Sequence, residues 1–154
     1  MINIGPFDLN LTVTQALPGA GLNVTTGILD FQSIAPGGDA WRLGRIAIVV
    51  PALPENTAGA GITVAIQAAP PSLLGGAAAI APQIPPPGAF VTPAVSQTLT
   101  IAAVANGGSV ANIYYMTLPF DANGSPYQFV QFVITTPAQV APQGESLTIG
   151  YAQA

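Results

Sequence analysis

Six carboxylates and two arginines are all the ionic chemistry available to this 154-residue chain. Asp8, Asp30, Asp39, Glu55, Asp121 and Glu145 could in principle supply the acid and base of a glycoside hydrolase, or oxygen ligands for a hard metal. Five of them, Asp30, Asp39, Glu55, Asp121 and Glu145, fall in or beside turns, as in Pro36-Gly37-Gly38-Asp39 and Phe120-Asp121-Ala122-Asn123-Gly124. There Asp does ordinary turn work by bonding its own backbone, so a carboxylate-only hydrolase is the lesser alternative. The chain has no lysine, histidine or cysteine. That removes the usual proton shuttle, several covalent nucleophiles and the ligands of most transition-metal sites. Its serines have no histidine to activate them and no Gly-x-Ser-x-Gly elbow to present them. Pro18-Gly19-Ala20-Gly21 and Asn106-Gly107-Gly108 lack the following Lys of a phosphate-binding loop and are turns. The expectation is a protein that is not an enzyme and that carries no cofactor and no metal.

Charged residues make up 5% of the chain, and none occurs between Glu55 and Asp121. A soluble domain ordinarily carries about 25%, so much of this surface is neutral and suited to become interface. A net charge of −4 with Arg42 and Arg45 as the only cations speaks against nucleic acid, because phosphate neutralisation needs clustered Lys and Arg. Half the residues are hydrophobic, yet Pro, Gly, Thr or Gln interrupts every apolar run before the length of a spanning helix. The aromatic content, 7%, is thin for the girdles of a membrane barrel. No membrane partner is expected. The opening Met1-Ile2-Asn3-Ile4-Gly5-Pro6 lacks the basic and apolar regions of a signal peptide, which points to synthesis in the cytoplasm. The Asn-x-Ser/Thr triplets at Asn10, Asn23 and Asn123 matter only in a secreted eukaryotic protein and are attributed to composition.

The elements that must position these residues follow from a period-two alternation in eight short runs. They are Phe7 to Thr14, Leu22 to Phe31, Arg45 to Val50, Ile62 to Gln67, Thr98 to Ile101, Ile113 to Leu118, Phe129 to Ile134 and Ser146 to Tyr151. The seventh is apolar on both faces, which leads us to expect self-association as a dimer or trimer. No sustained 3.6-residue period appears, and 16 prolines with 17 glycines punctuate any helix. One all-β domain is predicted over residues 1–154. Its architecture is a jelly-roll-like antiparallel β-sandwich of about eight strands with a long Pro-rich loop. Ile62, Val64, Ile66, Leu99, Ile101, Val130, Phe132, Ile134, Leu147 and Ile149 are expected to line the core.

Two stretches stand out as partner-binding candidates. Residues 69–96 hold seven prolines and the apolar Leu73, Leu74, Ile84 and Phe90. A long uncharged loop of this kind is unlike a polar disordered linker. It either folds back over its own sheet or lies as an arm on a neighbouring subunit. The second is Trp41-Arg42-Leu43-Gly44-Arg45, which gathers the only tryptophan and both arginines. Trp and Arg are enriched at binding hot spots, although a strand entry with Trp41 plugging the core explains the same cluster.

The chain also resembles a known family. Gln15-Ala16-Leu17, Asn23-Val24 through Leu29-Asp30, Ile62-Thr63-Val64-Ala65-Ile66-Gln67, Met116-Thr117-Leu118-Pro119, Tyr127-Gln128-Phe129-Val130-Gln131-Phe132 and Leu147-Thr148-Ile149-Gly150-Tyr151 resemble the capsid cement (decoration) proteins of tailed bacteriophages, the type known from a Bordetella phage. The resemblance implies a jelly-roll virion protein on the outer surface of the head, made in the host cytoplasm. Its partner would be the phage major capsid protein, whose subunits it would bridge to stabilise the shell. Two other classes compete with this expectation. One is a carbohydrate-binding or adhesin module that stacks sugars on Trp41, Tyr114, Tyr115 and Tyr127, against which most of these tyrosines fall inside strands. The other is the carboxylate-only hydrolase.

Overall fold

A computed structural model of the protein describes residues 7–31, 45–69, 87–93, 97–122 and 127–152. Among the described residues the alternating runs form nine strands: β1 Phe7–Ala16, β2 Asn23–Thr25, β3 Leu29–Asp30, β4 Arg45–Val50, β5 Ile62–Ala69, β6 Thr98–Ile101, β7 Asn112–Met116, β8 Phe129–Thr135 and β9 Ser146–Ala152. One sheet has the order β1-β9-β4-β7; the other runs β2-β8-β5-β6, with β3 pairing β8 beside β2. All pairings are antiparallel. The fold is an all-β sandwich, as predicted.

The one change from the expected strand list is the run from Leu22 to Phe31, which is two strands and not one. Val24 faces Ile134 and Thr25 faces Val133, but Leu29 faces Val130, so one extra residue has been accommodated between them. Thr26 marks the place: its N–H donates to the Phe132 carbonyl at 2.9 Å, while its hydroxyl oxygen, in place of its carbonyl, accepts the Phe132 N–H at 3.0 Å. Such a bulge bends the outer strand and interrupts pairing at a sheet edge.

Counting β2 and β3 as one interrupted strand gives eight, and the pairings then nest. First pairs last, second pairs seventh, third pairs sixth and fourth pairs fifth. This is one long folded hairpin wound over itself, the wiring of a jelly roll.

Burial follows the pleat. On β5, Ile62, Val64, Ile66 and Ala68 are buried while Thr63, Ala65 and Gln67 are half-buried; on β8, Val130, Phe132 and Ile134 point inward. Ile46, Ile48, Val50, Leu147, Ile149, Tyr151 and Met116 meet them from the other sheet in one continuous cluster. Of the ten predicted core residues, nine are buried; Leu99, on the edge strand β6, packs partly buried against the same cluster. Gln97 closes the flank between the edge strands β6 and β7. Its amide accepts the Thr117 N–H at 2.9 Å and donates to the Thr117 carbonyl at 3.3 Å, standing in for a missing strand.

Candidate interaction surface

Strand directions fix which connections share an end. The turns after β1, β4, β6 and β8 (residues 17–22, 51–61, 102–111 and 136–145) lie together at one end, here the loop end. Backbone bonds sew them to each other: Leu17 to Glu145, Gly21 and Leu22 to Thr136, Leu53 to Ser109, and Asn56 to Val104, all between 2.8 and 3.1 Å. The connections after β3, β5 and β7 leave from the opposite end, where β1 also starts and β9 also finishes.

Aromatic residues are polarised along this axis. None occurs in the four loop-end connections. At the opposite end, Phe31 meets Tyr151 edge-on with ring centroids 6.1 Å apart, and Phe90 packs with Ala69 and Phe129. Phe120 and Tyr127 pack partly buried against the main core. We call this the aromatic end. The Arg45 guanidinium lies there, on the outer face of the first sheet, 3.8 Å from the ring centroid of Tyr115. Arg45 is exposed and Tyr115 is 43% exposed, so the pair is an accessible cation–π plate. Asp30, last residue of β3, accepts a bond from Gln128 Nε2 at 2.9 Å at the same end.

Among the described side chains, the outer faces between the two ends are neutral. Thr12, Thr14, Ser146 and Thr148 share the outer face of one sheet, with Thr14 and Thr148 hydroxyls 3.3 Å apart. Asn23, Thr25, Thr63, Thr98, Thr100 and Thr135 share that of the other. Gln131 donates to Gln67 across the middle of this second face at 2.9 Å. Phe129, which made β8 apolar on both faces, is covered by the protein's own Phe90 and is 1% exposed. Hence the double apolarity marks a central strand with a local cap, and Phe129 is not open for self-association.

Among the predicted contact residues, Arg45 is exposed at the aromatic end. Phe90 is 8% exposed. It follows a 3₁₀ turn, Pro87–Ala89, and precedes Val91, whose N–H and carbonyl both pair with Ala68 at 3.0 and 2.9 Å. The last part of the Pro-rich segment thus folds back on its own β5, and the ring of Phe90 serves internal packing instead of a partner. Trp41, Arg42, Leu73, Leu74 and Ile84 lie outside the described residues. Sequence reading missed Leu22, Val104 and Val110, which are 61%, 49% and 78% exposed at the loop end. The only signal for them was an apolar residue inside a Gly/Ala-rich turn. No protein-family model, curated protein or solved structure matches the chain.

Proposed function

We propose that this protein is a structural cement of a phage capsid, binding the outer face of the major capsid protein through its aromatic end and holding neighbouring subunits together. The observation that carries the proposal is the polarised surface on a jelly-roll frame. Two neutral Thr-rich flanks suit close packing among like-charged shell subunits, and one end carries the exposed Arg45 stacked on the exposed Tyr115. Arg and Tyr lose little rotamer freedom when stacked as Arg45 and Tyr115 are, which favours them as anchors. A shell offers many copies of each site, so modest contacts add by multivalency. Absence of Lys, His and Cys fits a role without chemistry.

The test is co-sedimentation of the purified protein with expanded capsids of the phage that encodes it, followed by challenge of the shells with heat. Binding that raises the temperature of shell rupture, and that falls at least tenfold in Arg45→Ala/Tyr115→Ala, is the expected result. Wild-type binding by that double variant, with loss in Val104→Ser/Val110→Ser, moves the contact to the loop end. No binding by the wild type, together with a positive glycan array, replaces cement by the carbohydrate-binding alternative.

A further inference from the structure

Glu55 has its polarity inside out. The residue as a whole is half-buried, yet both carboxylate oxygens are buried and neither has a hydrogen-bond partner. Long charged side chains normally lay their stem on the protein and hold the head in water. Here the head is turned in. Burying carboxylate oxygens without a hydrogen-bond donor costs free energy.

Its chain neighbour adds a third oxygen. Asn56 is fully buried, and its Nδ2 donates to the carbonyls of Ile101 and Ala102 and to the hydroxyl of Ser109, each at 3.2 Å. The two carbonyls can only accept, so the amide cannot be turned round. Asn56 Oδ1 is therefore fixed as an acceptor, and it too is buried without a donor. The turn from Leu53 to Thr57 holds three buried acceptor oxygens on consecutive residues and nothing to satisfy them. Arg45, the one described cation, sits at the other end of β4, roughly 17 Å away along the strand alone.

We propose that the turn at Glu55 and Asn56 holds a hard, oxygen-preferring cation, with calcium as the expected ion. A chain without His or Cys has no imidazole or thiolate ligand to offer, so most soft or borderline metals are disfavoured from the start. Calcium accepts carboxylate, amide and backbone carbonyl oxygens in flexible geometry, whereas magnesium demands near-octahedral geometry and keeps its waters. One carboxylate is a low ligand charge, which places calcium affinity in the weak class, on the order of 10⁻⁴ to 10⁻³ M. The ion would lock the β4–β5 turn to the β6–β7 turn that Asn56 already joins. This inference is independent of the capsid proposal, since the site lies at the end opposite Arg45.

The test is thermal unfolding of the full chain after chelator treatment, titrated with calcium, magnesium or sodium chloride at matched ionic strength, with calorimetric titration alongside. Calcium should raise the unfolding temperature with the logarithm of its concentration above Kd, by roughly 5 to 10 °C at a hundredfold excess, with heats that saturate at one ion per chain. Glu55→Gln should abolish the shift and, without cation, be at least as stable as the wild type, since it removes an unmatched charge. Glu145→Gln, at the same end but with its carboxylate already accepting the Gln143 N–H, should respond like the wild type. A response to sodium alone supports the site with a monovalent occupant. The proposal is overturned by an equal response to all three salts, by no response, or by one that survives in Glu55→Gln. A protonated-carboxyl infrared band that Glu55→Gln removes, seen without any cation response, would also overturn it by making a proton the partner.

Discussion

Phe132→Ala tests the inner face of the sandwich most directly. Phe132 lies mid-strand in β8, between Ile66 on β5 and the Thr26 hook on the other side, and is 0% exposed. Its side chain removes roughly 150 Å² from water, worth about 4 kcal/mol at ~25 cal/mol/Å². Measured large-to-small changes of this type span about 3 to 5 kcal/mol because the cavity collapses only in part. For a chain of this size, such a loss lowers the unfolding midpoint by roughly 10 to 15 °C. In urea, with a slope of about 2 kcal/mol/M, the midpoint moves by about 2 M at unchanged slope. Thr63→Ala is the control, one residue along the pleat from Val64 and facing outward between Thr135 and Thr100. It should cost under about 1 kcal/mol, from lost β-preference and cross-strand contact alone. Paired urea melts of the two variants decide the matter. Equal costs would refute the assigned inner and outer faces, and with them the sandwich register.

Other substitutions probe the loop end and the Pro-rich segment. Gly108→Ala should destabilise by more than about 3 kcal/mol in a chemical melt, because Gly108 has φ +74° and an added Cβ would collide with the carbonyl of Leu53 and the backbone of Pro54. Asn56→Leu should cost about 2 to 4 kcal/mol by stripping the donors from the Ile101 and Ala102 carbonyls, with hydrogen exchange rising first in the 102–111 turn. Replacing residues 70–86 by a short Gly-Ser linker while keeping 87–97 should leave the sandwich cooperative by circular dichroism and weaken shell binding; unfolding instead would make those residues part of the core. Phe90→Ala in the intact chain should cost about 2 to 4 kcal/mol and raise dye binding at the uncovered Phe129, read by fluorescence.

The sequence by itself determined the fold class, the strand positions and the inner face. These rest on period-two alternation and on Pro and Gly punctuation, which act over a few residues and need no partner to be recognised. It also determined which residue types are absent, Lys, His and Cys, since a missing residue type is missing in every fold. What only the tertiary structure decided depends on distant residues meeting. The split of β2 from β3 is set by the Thr26 hydroxyl reaching Phe132, 106 positions away. Covering of Phe129 by Phe90 turned an apparently sticky strand into a capped one. The stacking of Arg45 on Tyr115 was invisible because β4 and β7 are neighbours only through a pairing between chain segments some 70 residues apart. Glu55 shows the limit most sharply. In sequence it is a turn carboxylate among others, and only burial of its oxygens against the body of the protein makes it a site, because electrostatic cost depends on solvent exclusion and not on residue type.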